Sequence, residues 1–543
     1  DGAMAAWGVN YDGRLGNNSL TNSSVPVSVS TNPLSAGERF MACPSGVASS
    51  HSMATVAEPL PTATGLAATF IGGTGAQLNG KINAIGNSVS ISFEYGMDAN
   101  YGISVAASPG SASGGTDVNV SASISNLLPG TVYHFRVVAT CASGVVRSSD
   151  MTFTTLSDNA KLGSLALSQG VLLPGFLDTR SIYVSTVANS VGAIRLIPTI
   201  AHPGAKARIN GVVVPSGSTS EPVSLPVGNT TIDLVVTAED GITNKTYRVT
   251  VTRLPSSFVF NTKSDVPVTS NEFSAGGYPV NIELGFAPQP GTVLTMVRNS
   301  GLGFISGAFG NLAQGERVTL SFGGTSYDFV ANYFGGSGND LVLQWAETSL
   351  FGWGANAYGQ LGMAPVAKVL VPTPVDESGV LSGKTLLTVS SGYLHSLALC
   401  SDGTLASWGY NVYGQLGNNG SHNSEVPVSV DRSGALAGKT VVAISSGPFH
   451  NLVLCSDGTV AAWGYNNYGQ LGTGDKVTSR VPVRVKPLGA LVGKSVVAVA
   501  AGAYQSFALC SDGTVAAWGY NDEGELGDGG TNTSSVPVSV DAS

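Results

Sequence analysis

Charge is scarce in this chain: only 11% of its 543 residues are charged, and lysine and arginine nowhere gather into a cluster. With 25 basic against 34 acidic side chains the net charge is −9. That balance removes the attraction that dominates non-specific binding to DNA or RNA, so no nucleic-acid partner is expected. Five cysteines are too few for a disulfide-built scaffold, and no CxxC pair offers zinc binding or thiol exchange. No apolar run is long enough to cross a bilayer as a helix, so no membrane insertion is expected. HExxH, GxSxG, a phosphate-binding Walker loop and a GxGxxG following a strand are all missing.

Long stretches rich in Leu, Ala, Glu and Lys are missing too, whereas Gly (71 residues), Ser, Thr and Val abound. That composition favours strands and turns over helices, and the length requires several domains.

The dominant pattern is a repeat. Trp353, Trp408, Trp463 and Trp518 stand 55 residues apart, each in W-G-x-N-x-x-G-[QE]-L-G, and Trp7 opens a fifth copy, WGVNYDGRLG. A full unit, GKTVVAISSGPFHNLVLCSDGTVAAWGYNNYGQLG followed by a VPV strand, divides at its turns into four short strands. Its Asp-Gly pair marks a tight hairpin between the second and third. Four antiparallel strands repeated at this period predict the blades of a β-propeller. The motifs G-x-x-H-S-L-A-L, D-G-x-[VL]-x-x-W-G and Y-G-Q-L-G at 392–417 resemble the regulator of chromosome condensation (RCC1) repeat family, and the resemblance covers residues 1–56 and about 350–543. It implies an all-β fold, an RCC1-like propeller with about four and a half blades in this chain, forming part of a seven-bladed ring.

One copy is interrupted. RFMACPSGVASSHSMATV (39–56) reads as the first two strands of a blade and SLFGWGANAYGQLG (349–362) as its third strand, so about 290 residues replace the hairpin turn. Residues 51–56 and 349–354 are accordingly expected to lie side by side and antiparallel. The first residues, DGAMAAWG, match the inside of a repeat, which reads as a processed chain or a piece of a longer one.

The insertion holds three β modules. In 57–157, L-x-P-G-T-x-Y-x-F-R-V-x-A around Tyr133 resembles a fibronectin type III sandwich. In 158–255, L-x-L-S-x-G-x-L-x-P-x-F and T-A-x-D-G-x-T-x-x-T-Y-x-V-T-V-T-R resemble the bacterial cadherin-like β-sandwich family. Residues 256–346 form a Gly-rich β module similar to units of autotransporter-associated surface proteins, with Trp345 at its end. Propeller segments at 1–56 and 347–543 flank the insertion.

Several residues invite chemistry but have structural readings. His51, His395 and His450 share one repeat position, which Gln505 fills in the last copy, so a hydrogen-bonding role is preferred over catalysis or metal binding. Asp402, Asp457 and Asp512 precede Gly in hairpin turns. Cys400, Cys455 and Cys510 read as packing residues between blades, a disulfide between neighbouring copies being the alternative, while Cys43 and Cys141 read as free thiols. GGSGNDLVL (335–343) fits a calcium nonapeptide, but that site requires stacked tandem copies. No catalytic, cofactor or metal residue is assigned. The candidate interaction rim is the aromatic and amide set after each Trp-Gly: Tyr410, Asn411, Tyr413, Tyr465, Asn466, Tyr468, Tyr520 and Asn521.

These features predict a non-enzymatic, extracellular or bacterial cell-surface protein, structural or adhesive, in the form of a self-assembling fibre or sheath subunit. The alternative is a secreted propeller that binds a specific protein or glycan through its blade loops, as RCC1-like inhibitors of β-lactamases do. Expected partners are further copies, other surface proteins or glycans. The nucleotide-exchange and chromatin roles of the family's namesake are not expected, because the chain is acidic.

Overall fold

The computed structural model describes residues 3–32, 34, 38–42 and 51–541, and these are strand and turn apart from one 3-10 turn at Gly489–Leu491. Cys43 and the rest of 43–50 lie outside the described residues. The chain divides into two compact units, one of residues 1–164, 198–217 and 235–246, the other of residues 165–197, 218–234 and 247–543.

In the first unit, Ala5–Gly8 pairs with Ser23–Ser28, and Arg39–Ala42 with Thr55–Ala57, each as a two-stranded antiparallel ribbon. A β-sandwich follows. Thr62–Thr69, Gly75–Asn83 and Asp117–Ser125 form one side. Ile103–Ser113, Ser88–Gly96 and Val132–Cys141 form the other, with Gly144–Arg147 and Met151–Thr154 both on Val132–Cys141. Strict alternation in Gly75–Asn83 turns Leu78 and Ile82 inward against Phe93, Phe135, Val137 and Phe153. The Tyr133 hydroxyl accepts the Leu128 amide at 3.0 Å, the tyrosine corner characteristic of such sandwiches.

In the second unit, Ile182–Val187 runs parallel to residues 248–253. The Gly-rich module is a five-stranded sheet in the order Val268–Ser270, Val293–Asn299, Asp340–Trp345, Thr325–Gly335, Arg317–Phe322. Its core is aromatic, including Phe258, Phe273, Phe309 and Phe329, and Trp345 packs edge-on to Phe329 at 5.6 Å. This module is docked on the propeller rather than free: Phe304 and Phe334 pack against the core around Trp518, and a Cβ on Gly315 would fall 2.0 Å from the Ser401 carbonyl.

Three complete four-stranded blades follow, blade I (386–429), blade II (441–484) and blade III (496–539). Each hairpin turn is closed as its residues require: the Asp402, Asp457 and Asp512 carboxylates accept the Thr404, Thr459 and Thr514 amides at 3.0 Å. The same carboxylates pair with Lys384, Lys439 and Lys494.

Of the interrupted copy, Arg39–Ala42 pairs with Thr55–Ala57 in the first unit, and Phe351–Asn356 pairs with Val366–Pro374 in the second. Residues 51–56 belong to the first unit and 349–354 to the second. In blades I to III a Ser-Asp-Gly turn joins the middle strands, the Cys400, Cys455 and Cys510 amides donating to the Thr404, Thr459 and Thr514 carbonyls, and in the interrupted copy about 290 residues replace that turn.

The blades are joined to one another by a recurring set of bonds. The Gln415 carbonyl of blade I accepts both the Trp463 indole N–H (2.9 Å) and the Asn451 amide (2.8 Å) of blade II. The Gln470 carbonyl accepts the Trp518 indole (2.9 Å) and the Ser506 hydroxyl (2.8 Å) of blade III. His395 Nε2 donates to Asn451 Oδ1 at 2.9 Å and His450 Nε2 to Ser506 Oγ at 3.0 Å, extending each relay. Gly417 lies so close under Trp463 that a Cβ would sit 2.7 Å from its Nε1, at a φ of +62° that also favours glycine. Trp463 and Trp518 are consequently 0% exposed; Trp408 is 2% exposed without a partner for its indole N–H, whereas Trp7 and Trp353, in half-blades, are 63% and 61% exposed. In the first unit Ser52 Oγ donates to the Arg14 carbonyl at 2.9 Å, the same bond in the same register, and Leu15, Gly16, Val29 and His51 line an open pocket there.

Two outcomes follow. Replacing Trp463 by Ala should cost about 3–5 kcal/mol, and the same change at Trp353 should stay within about 0.5 kcal/mol, measured by urea denaturation. Burial depresses the imidazole pKa to about 4 at His395 and about 3 at His450, against 6.5 unfolded. The unfolded chain therefore binds more protons between these values, and the neutral histidines' contribution, complete above pH 6.5, is lost as pH falls towards 4. The expected slope is about 1.4 kcal/mol per pH unit for each histidine. His450→Gln, the residue type found at position 505, should remove its share, read from urea midpoints at pH 7.5, 6, 5 and 4.5.

Candidate functional site

The loop after each Trp-Gly must bury several backbone amides that no strand pairs, and a side-chain amide serves them. Asn411 Oδ1 accepts the Leu416 amide at 2.9 Å and its Nδ2 donates to the His422 carbonyl at 3.0 Å. Asn466 holds Leu471 and Val477 in the same way, and Asn521 holds Leu526 and Asn532. All three asparagines are fully buried, as are Asn10 and Asn356 at the same repeat position. Asn411, Asn466 and Asn521 are therefore corrected from rim residues to loop supports: the repeat gave no means of separating the amide that faces the backbone from one that faces solvent.

The tyrosines behave differently. Tyr410, Tyr413, Tyr465, Tyr468 and Tyr520 are partly exposed and meet one another across blade boundaries. Ring centroids are 6.3 Å apart for Tyr410–Tyr413, 4.9 Å for Tyr413–Tyr465, 6.2 Å for Tyr465–Tyr468 and 5.0 Å for Tyr468–Tyr520. Interplanar angles of 65–76° make these edge-to-face contacts, the arrangement that ring quadrupoles favour. Loss of solvent raises the phenol pKa of Tyr410, Tyr465 and Tyr520.

The ribbon is longer than the repeat motif indicated. Tyr358 of the half-blade extends it, 5.1 Å from Tyr410. Phe449 and Tyr504, 5.6 Å from Tyr413 and 5.2 Å from Tyr468, widen it. Both come from the residue just before the repeated His or Gln. Their carbonyls accept the Tyr465 and Tyr520 amides at 2.9 and 3.0 Å, so one backbone bond per blade brings the two loops together. Tyr393, 70% exposed and 6.2 Å from Phe449, lies at its margin. An aromatic residue before the His was the available signal, hidden because blade I carries Leu394 there.

The other residues that invited chemistry are engaged elsewhere. Cys400, Cys455 and Cys510 are buried free thiols, and burial pushes Cys400 and Cys455 up to about 11, far from the thiolate form. Cys141 is also free. In the nonapeptide segment, Asp340 accepts the Asn299 amide at 2.8 Å and Asn339 donates to the Gly301 carbonyl at 2.5 Å, so its polar side chains serve the turn. Among the described residues no group of three His, Cys, Asp or Glu side chains is arranged to hold a metal ion, and no helix is long and apolar enough to cross a membrane.

Comparison with known proteins bears on the same segments. Models of the regulator of chromosome condensation (RCC1) repeat match residues 348–399, 402–454 and 457–509, and, in a second description, 388–415, 441–470 and 496–525. A model of the cadherin-like β-sandwich domain matches residues 158–254. The mouse E3 ubiquitin-protein ligase HERC2 is 37% identical over 199 residues, 36% of this chain and 4% of that protein. The ultraviolet-B receptor UVR8 of Arabidopsis thaliana is 32% identical over 196 residues, 36% of this chain and 42% of the receptor. The chain thus spans less than half the length of these relatives. Fibronectin(III)-like modules of CbhA from Clostridium thermocellum align with 35% of the chain and 95% of their own, at 13% identity and a TM-score of 0.19. An RCC1-repeat propeller in one chain with a cadherin-like β-sandwich domain fits a protein-binding or surface role. The chain is an all-β protein that carries RCC1 repeats, built as a propeller, together with a cadherin-like β-sandwich domain.

Proposed function

We propose that this chain is a non-enzymatic, extracellular surface protein, adhesive or structural in kind, whose propeller holds a polypeptide partner on the tyrosine ribbon. The observation that carries this reading is the ribbon's continuity: partly exposed rings touch from Tyr358 to Tyr520, across every blade boundary from the half-blade to blade III. Large, stiff aromatic side chains of this kind provide contact area at little conformational cost. The non-enzymatic part is supported by where the reactive groups are spent: the histidines in relays between blades, the turn aspartates on lysines and amides, the thiols in the core. Location outside the cell rests on the company of sandwich modules with the propeller, an argument from association.

A second reading, self-assembly into a fibre or sheath, is favoured by the half-blade at 351–374. Phe351, Trp353, Leu370 and Val371 are exposed on it, and among the described residues of its own unit Phe351–Asn356 pairs on one side only. An unpaired strand edge with apolar side chains is a template for another chain.

Protease treatment of intact producing cells should remove the protein if it lies at the surface. In the full chain, Tyr413→Ser with Tyr468→Ser should lower retention on such cells at least tenfold, without moving the midpoint of thermal unfolding by more than about 5 °C. Retention unchanged in that variant rules out the ribbon as the docking face. Sedimentation that stays monomeric at rising concentration, in wild type and in Trp353→Ser alike, rules out the fibre.

A further inference from the structure

We infer that the occupant of the tyrosine ribbon is an extended polypeptide segment bearing lysine or arginine side chains, seated over the rings and anchored at the Asp522, Glu523 and Glu525 end. This rests on the ribbon being the docking face and names the chemistry of its partner.

Blade III departs from what the repeat demands. Blades I and II read N-V-Y-G-Q-L-G and N-N-Y-G-Q-L-G, whereas blade III reads N-D-E-G-E-L-G. The fold needs a side-chain oxygen at the Gln position to accept the amide two residues earlier: Gln415 accepts from Tyr413 at 2.9 Å and Gln470 from Tyr468 at 3.1 Å. Glu525 accepts from Glu523 at 3.0 Å, so a neutral Gln would have served equally. Asp522 and Glu523 are exposed. Three carboxylates therefore stand where the fold asks for none, and all three act on the Tyr520 phenol beside them.

Charge on the ribbon's own loops is one-sided. Segments 410–425, 465–480 and 520–535 carry six carboxylates and two basic residues, Lys476 and Arg480, and the 520–535 loop has no basic residue. An aromatic face next to carboxylates attracts a cation twice, through the ring quadrupole and through the ion pair. The chain builds one such arrangement internally, with the Arg136 guanidinium 4.2 Å above the Tyr101 ring and the Tyr101 hydroxyl bonded to Asp150 at 2.9 Å. Edge-to-face rings do not form the flat shelf on which sugar rings stack, which favours a peptide over a glycan. At ~3.3 Å per residue, roughly seven extended residues follow the four ring steps from Tyr410 to Tyr520.

The test uses the full chain and dye-labelled nonapeptides of alternating lysine and proline, or glutamate and proline, with cellohexaose as a glycan probe, read by fluorescence anisotropy and calorimetry. The lysine peptide should bind and the glutamate peptide should not. Asp522→Asn, Glu523→Gln and Glu525→Gln together should weaken lysine-peptide binding at least tenfold and flatten its salt dependence, while Tyr468→Leu should weaken it about fivefold with the salt slope unchanged. Neutralising Asp98, Glu221 and Glu283 instead should change nothing. Equal loss in that control, or tighter binding of cellohexaose that survives the triple change, overturns the cationic occupant. If the lysine peptide does not bind while cell retention still depends on Tyr413 and Tyr468, the docking face stands and the cationic partner fails.

Discussion

Everything in the propeller depends on one backbone carbonyl per blade. The Gln415 and Gln470 carbonyls each take an indole N–H and a side-chain donor from the following blade, and a histidine extends each relay. A carbonyl has two lone pairs, and burying it unpaired would be costly, so two donors from the next blade stabilise the contact and set the distance between blades. That spacing leaves no room for a Cβ at Gly417 and packs each tryptophan between two sheets. Where no preceding blade supplies the carbonyl within the same unit, as for Trp353, the indole is left exposed.

The same spacing produces the candidate site. Tyrosines on consecutive blades come into edge-to-face contact because the relay beneath them fixes how far apart the loops stand. Structural demand and functional freedom then separate by position. Asparagine and glutamine side chains are held by amides within each loop, while positions 412, 467 and 522 vary as Val, Asn and Asp, and the exposed Glu523 stands where the other blades carry tyrosine. A repeat protein thus shows what its fold requires by what it keeps, and leaves binding chemistry to what it changes.

The blades and their hairpins were legible because each rests on local rules: alternation, an Asp-Gly turn, a 55-residue period. The loop tyrosines were legible as a class, but Phe449 and Tyr504 were missed, since they come from a different loop joined to the ribbon only by a backbone bond. The asparagines were misplaced for a related reason. Composition identifies an amide at a rim, and only the geometry shows that it faces inward to backbone donors.

By itself the sequence determined the all-β class, the blade repeat and the modules inserted within it, because periodicity and turn chemistry act between residues close in the chain. Tertiary structure alone decided which repeated side chains are buried and that the Gly-rich module docks on the blades. Those outcomes depend on contacts between residues tens to hundreds of positions apart, where loop closure and packing, rather than local preference, set the free energy.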